Sequence, residues 1–210
     1  MTKRKNSGIV CPGRIEGVQN MKNILILNGH PNPDASTAGR AVQEAFLTLR
    51  PDAKVRTLSS LCGAEGYDVA AEQAALVEAD VIVWHFPFYW YSVPALMKKW
   101  IDDVLTHGFA YGSGGTALHG KHLLISFTTG APEEAYAKGK PMNWPVEAFL
   151  PPLLQTANLC GLKTLDPVWS TGVMFIPGVP GHDDLEAVRN RAAAHAVKMN
   201  DEIAALEKAE

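Results

Sequence analysis

Cysteine is scarce and poorly placed for pairing. Cys11, Cys62 and Cys160 are the three in 210 residues, an odd number with no CxxC spacing. That excludes a disulfide framework and a thiolate zinc site, and it suits inert thiols in a reducing cytosol. No apolar run is long enough to span a bilayer, so no membrane insertion is expected. Basic residues have no surplus: 19 Lys and Arg stand against 22 Asp and Glu, a formal net charge of −3. No positive field is present to draw nucleic acid or anionic lipid. Four motifs are also missing: GxGxxG for dinucleotides, GxxxxGK[ST] for P-loop chemistry, HExxH for zinc hydrolysis and the GxSxG nucleophile elbow. His107, His119 and His122 lie close in sequence without metal-ligand spacing, and no metal site is expected.

What the chain does have is an ordinary globular balance, with 47% hydrophobic and 20% charged residues, enough for one domain with a sizeable core. Residues 1–20 lack periodicity and a signal-peptide core, and read as an N-terminal extension, disordered or tag-like, ahead of a domain over 21–210. The rest alternates buried apolar runs with helical patterns, the mark of a parallel sheet covered on both faces. Strands are expected at 23–28, 54–58, 80–84, 122–127 and 163–169. Helices are expected at 36–50 (inner face Ala41, Ala45, Phe46, Leu49), 70–79, 93–106, 146–160 and 183–207. Ser92 reads as an N-cap with Pro94 in the first turn, Gly161 as a left-handed cap, and His182 and Asp183 lie at the capped start of the last helix. This pattern permits an α/β, flavodoxin-like five-stranded sheet of order 2-1-3-4-5 with helices on both faces. Its ligand site would lie at the carboxyl ends of strands one, three and four.

The loops after those strands carry the chemistry. Gly29 to Gly39 puts His30, Ser36 and Thr37 at a helix N-terminus, where free N–H groups favour an anion. Ser36 reads equally as a plain N-cap. After strand three, HFPFYWYSVP at 85–94 has five aromatic residues in ten, too many for core alone in a connection that runs over the surface. A flat ligand gives those rings a use, whereas His85 reads as a hydrogen-bonded structural histidine. After strand four, Thr129 and Gly130 can present successive N–H donors, and the Tyr136 phenol can reach the same ligand. A phosphate cradle, an aromatic platform and an amide patch match the parts of a flavin mononucleotide.

Three stretches then carry a resemblance: NILILNGHPNPDAS, the run AAEQAALVEADVIVWHFPFYWYSVPALMKKWIDDVLTHGFAYGSGGTALHGKHLLISFTTG, and LPPLLQTANLCGLKTL. They resemble the flavodoxin-like NAD(P)H:quinone oxidoreductases of the DT-diaphorase type, and most of all the bacterial branch with the ancillary proteins of glutathione-gated potassium efflux. The resemblance implies a cytoplasmic homodimer with its active site at the subunit interface. It implies FMN or FAD as cofactor, with FMN favoured because the short first loop offers no adenosine pocket. His30, Ser36, Thr37 and Ala38 would hold the phosphate, and Pro87, Phe88, Tyr89, Trp90 and Tyr91 would line one side of the isoalloxazine. N–H groups near Trp90 and Tyr91 would face its N5/O4 edge. Thr128 belongs to the same cofactor set, and Thr129, Gly130 and Ala131 would face the N1/O2 edge. Tyr136, with Thr129 and Gly130, would stabilise reduced-flavin charge as the catalytic set, and Phe109 and Tyr111 would cover the substrate cavity from the partner subunit.

This chain departs from the family pattern in places. Gly39 stands where relatives often have Asn, Ala131 replaces the second glycine of TTGG, Pro132 stiffens the backbone after it, and AKGKPMN lacks the histidine that would relay charge with Tyr136. The implied reaction is two-electron, ping-pong hydride transfer from NADH or NADPH to a quinone or other flat electrophilic acceptor. One rival is a regulatory subunit that docks on a potassium antiporter, since GSGGTALHGKH resembles text in such subunits. Another is a flavin, nitro or azo reductase.

Overall fold

The structure, a computed structural model, describes residues 22–179, 181–182 and 184–209. The expected N-terminal extension at 1–20 lies outside the described residues. Strands β1 (Ile24–Asn28), β2 (Lys54–Thr57), β3 (Val81–Pro87), β4 (His122–Thr128), β5 (Lys163–Thr164) and β6 (Val168–Ser170) form one sheet of order β2-β1-β3-β4-β5, with β6 also on β4. Every pairing is parallel. This is the flavodoxin-like order expected from the sequence.

One expected strand is in fact two. The run 163–169 pairs with the start of β4 through Lys163 and Thr164, and with its end through Val168 to Ser170. Pro167 has no N–H to give the ladder, and the Asp166 N–H turns to Glu202 Oε2 at 3.3 Å, so pairing lapses between them.

Helices α1 (Ala38–Leu49), α2 (Leu58–Leu61), α3 (Val69–Glu78), α4 (Ala95–Val104), α5 (Pro151–Leu159) and α6 (Leu185–Ala209) cover the sheet. The strand alternation sorts two cores. Ile24, Ile26, Val81, Val83 and Leu124 meet Val42 and Phe46 of α1 and Ala192, Ala196, Met199 and Ile203 of α6. Leu25, Leu27, Ile82, Trp84, Phe86, Leu123, Ile125 and Phe127 face α3, α4 and α5. Leu49, expected inside, is 44% exposed, because α1 turns Val42 and Phe46 to the sheet instead.

Helix boundaries shift where prolines and caps decide them. α1 starts at Ala38 with Thr37 at the cap position, not at Ser36. α4 starts at Ala95 with Pro94 at the cap, because Ser92 is held in a turn with Tyr89. The expected helix 146–160 is a 3-10 turn, Val146–Phe149, followed by α5, which Pro151 and Pro152 restart. Gly161 has φ +67°, the left-handed cap expected. At α6 the cap is Asp184, whose Oδ1 accepts the Ala187 N–H at 2.8 Å; Asp183 lies outside the described residues. α2 is a single turn that the strand-like reading of 54–58 ran into.

Candidate functional site

Parallel pairing brings the ends of β1, β3 and β4 level, so their three loops converge. Gly29 donates to the His85 carbonyl at 2.8 Å and lies so close to α4 that a Cβ there would meet Met97 Sδ at 2.6 Å. Asn28 Oδ1 accepts the His30 N–H at 3.0 Å, and His30 Nδ1 accepts the Asn32 N–H at 3.0 Å. His30 therefore presents a neutral ring, and burial holds its pKa below the usual histidine value.

The loop delivers the chain into α1 without a cap. No side chain caps its first-turn N–H groups, and the first backbone bond at this end runs from the Ala41 N–H to the Thr37 carbonyl at 3.1 Å. The N–H groups of Ala38, Gly39 and Arg40 are left for an external acceptor, where the helix dipole favours negative charge. Ser36, buried beside them, is not their cap.

The aromatic run divides by depth. Phe86 is core, stacked on Phe127 at 5.6 Å, and Phe88 is half-buried against Phe127 and Phe149. Tyr89 and Ser92 exchange both backbone hydrogen bonds at 3.1 Å, closing a two-residue turn. Its central residues, Trp90 at φ +49° and Tyr91 at φ +65°, both sit in the left-handed region. Glycine or asparagine would adopt this turn at ease, whereas bulky residues there cost about 1–2 kcal/mol each. Trp90 is 92% exposed, so core packing does not compensate for the strain. The turn does not use the Trp90 and Tyr91 N–H groups.

The loop after β4 differs from expectation by one residue. The Thr129 N–H donates to the Ser170 carbonyl at 2.9 Å, so it is not available. Gly130 and Ala131 carry the free N–H groups instead. Their turn is braced by Thr129 Oγ1 on the Ala131 carbonyl at 2.9 Å and by Gly172 N–H on the same carbonyl at 2.8 Å.

Two adjoining cavities join these parts. One of about 260 Å³ is lined by His30, Ser36–Gly39, Pro87–Tyr89 and Thr128–Gly130, and the other, about 360 Å³, by Phe88, Trp90, Tyr91, Gly130, Ala131, Tyr136 and Met142. Together they gather His30, Ser36, Thr37, Ala38, Pro87, Phe88, Tyr89, Trp90, Tyr91, Thr128, Thr129, Gly130, Ala131 and Tyr136. Phe109 and Tyr111 line neither cavity of their own chain and pack on the core edge. The sequence reading missed Val173, Met174 and Phe175, which close the cleft from the loop after β6. A Cβ on Gly130 would meet Met174 Cε at 2.5 Å, so the glycine leaves room for the tip of that side chain against the turn. A larger cavity of about 490 Å³ lies between β6 and α6 and touches the three loops only at Glu133, so volume alone does not locate the site. Among the described residues no cluster of histidine, cysteine and carboxylate side chains is set to hold a metal, and no helix is long and apolar enough to cross a membrane.

Residues 22–196 match the family described as flavodoxin-like fold, and the chain belongs to that family. Among its curated relatives is the glutathione-regulated potassium-efflux system ancillary protein KefF of Salmonella typhimurium. The two are 50% identical over 144 residues, which is 69% of this chain and 80% of the relative. A general stress protein 14 from Treponema denticola, solved in complex with FMN, is 31% identical with TM-score 0.75, covering 88% of this chain and 99% of its own. A P. pentosaceus protein described as an NADPH-quinone reductase is 25% identical with TM-score 0.67, covering 85% and 97%. A structure described as a thermophilic tryptophan halogenase from Streptomycin violaceusniger is 36% identical with TM-score 0.69, covering 83% and 98%, so the names on this fold do not agree on one reaction.

Proposed function

We propose that the protein is a flavin-dependent NAD(P)H oxidoreductase that binds FMN in the cleft and reduces quinones. One observation carries this: three sets of unengaged backbone donors, at Ala38–Gly39, at Trp90–Tyr91 and at Gly130–Ala131, converge on a cleft walled by aromatic rings. The residues fit the group. Helix α1 offers its dipole to a phosphate, the 89–92 turn offers a ring face and two donors, and the 129–131 turn offers donors to a developing negative charge. The bound flavin supplies hydride acceptance and donation, so reductant and acceptor would use one exposed face in turn.

The chain's own work is to orient and to stabilise. Tyr136, buried at the second cavity, would place its hydroxyl beside the Gly130 and Ala131 N–H groups. Thr129, expected among the donors, would act by fixing that turn. The exposed Trp90 and Met174 at the cleft, with the exposed Trp144 and Ile176 close to cleft residues in sequence, would be the surface a second copy covers in a homodimer, bringing Phe109 and Tyr111 of that copy over the cleft. FMN is favoured over FAD by the short loop ahead of α1 and by the FMN-bound structural relative. We place the protein in the cytoplasm.

Purification without added cofactor, then release and identification of the chromophore, tests the reading. A colourless protein that takes up neither flavin overturns it. Parallel double-reciprocal plots for NADH or NADPH against a quinone would support ping-pong turnover, and an acceptor panel would separate quinone from nitro or azo reduction. The second reading, an ancillary subunit of a potassium antiporter, is favoured by the 50% identity to an efflux ancillary protein. Capture of an antiporter's cytosolic domain, with feeble quinone turnover, would decide for it.

A further inference from the structure

A line of polar side chains crosses the α1–α6 core beneath the cleft. His85 Nε2 lies 2.9 Å from the Gly39 carbonyl, His85 Nδ1 is 2.9 Å from Ser126 Oγ, Ser126 Oγ is 2.9 Å from His195 Nε2, and His195 Nδ1 is 2.9 Å from Ser170 Oγ. A carbonyl can only accept, so His85 carries its proton on Nε2 and its Nδ1 accepts the single Ser126 proton. Ser126 Oγ must then accept from His195 Nε2–H, and His195 Nδ1 accepts from the Ser170 hydroxyl. Every tautomer is fixed by one end of the chain, and both rings are neutral. His85, Ser126 and His195 are 3%, 0% and 1% exposed, among Val83, Leu124, Ala196 and Met199.

One end of this line lies in the cleft wall, and the other is one hydrogen bond away from it. Gly39 is in the first turn of α1, where the free N–H groups are, and a Cβ on it would meet Ser36 Oγ at 2.9 Å and His85 Nε2 at 3.5 Å. Ser170 is the residue whose carbonyl fixes Thr129 at 2.9 Å. Three apolar side chains would fill this core without any polar group to satisfy, whereas a fully satisfied buried network fixes geometry.

We propose that His85 is a positioning residue. Through Nε2–H it holds the Gly39 carbonyl, and so aims the first-turn N–H groups of α1 at the phosphate of the flavin. Through Ser126, His195 and Ser170 it ties that seat to the turn that carries the Gly130 and Ala131 donors. The inference rests on the flavin reading.

The test compares FMN with riboflavin, which lacks the phosphate, on the full chain, with folding checked by circular dichroism. His85→Leu should weaken FMN about tenfold and riboflavin less than about threefold. His85→Gln, whose amide can donate to Gly39 and accept from Ser126, should return FMN to within about threefold of the unmodified protein. A folded His85→Leu with an unchanged FMN-to-riboflavin ratio overturns the proposal, as does failure of the glutamine to rescue. If His85→Leu does not fold, Ser126→Ala decides, because a ratio unchanged there also overturns it. Unmodified protein that binds neither flavin sinks the flavin reading itself, before any variant is compared.

Discussion

Two buried polar assemblies lie on opposite faces of the same sheet, and they differ in charge. On the α3–α4 face, Glu72 is 1% exposed, accepts from Trp100 Nε1 at 2.9 Å and from Arg56 Nε at 3.0 Å, and closes an ion pair with the Arg56 fork. On the α1–α6 face, the His85–Ser126–His195 line is neutral throughout. Desolvation drives His85 down to about 4 and His195 to about 3. The charged assembly joins β2, α3 and α4 and touches neither cavity of the cleft; the neutral one ends at both the anion seat and the amide turn. An ion pair is strong glue but answers to its own geometry, whereas a proton-ordered chain carries orientation from one end to the other.

The largest effect should come from breaking the charged assembly. Glu72→Ala leaves Trp100 N–H and Arg56 without their partner and should cost about 3–5 kcal/mol of unfolding free energy by urea titration, with flavin affinity of the folded fraction unchanged. A loss of affinity to match would erase the contrast between the two faces.

Acid should act on the neutral assembly. Both histidines have folded pKa values below the ordinary 6.5, so from about pH 6.5 down to about 4 for His85 and about 3 for His195 the unfolded chain binds the extra protons. Their stabilisation is complete above pH 6.5 and is lost as pH falls through that window, at up to about 1.4 kcal/mol per pH unit for each ring. Glu207, held below the usual carboxylate range chiefly by its hydrogen bond from Arg50, adds loss of the same sign at lower pH. His85→Gln should remove roughly half of the slope between pH 6 and 5 in unfolding free energy. An unchanged slope would mean that His85 does not stay neutral in the fold.

The smallest effect is reserved for the turn outside both assemblies. Trp90→Ala should weaken flavin retention by about 1 kcal/mol, read as dissociation rate, while shifting apo stability by less than about 0.5 kcal/mol. Equal losses in both would mean that Trp90 serves the fold rather than the cofactor.

Much of the fold was legible in the sequence, because local patterns decide strand identity and order. Apolar runs with the right alternation placed β1 to β4 and the loops at their carboxyl ends. What escaped was set by partners far away in the chain. Ser126 and His195 are separated by 69 residues, and Thr129 loses its N–H to Ser170, which no window around TTG could reveal. Met174 reaches the cleft only because β6 bends back to β4. Other misses were local and visible: Pro167 marks the break in the fifth strand, and Pro151-Pro152 marks the restart of α5. The excess of rings at 86–91 was real, but depth split it, with Phe86 in the core and Trp90 in solvent.

The interruption at Asp166–Pro167 has a consequence for how the molecule behaves in a crowd. A long, flat outer strand is a template on which another chain can add itself. Here that margin of the sheet offers two residues, a proline, then three, with Glu202 of α6 drawn across the gap. An incoming strand finds no continuous ladder to extend there, so the break that defeats a simple reading of strand five also makes that margin a poor template for another chain.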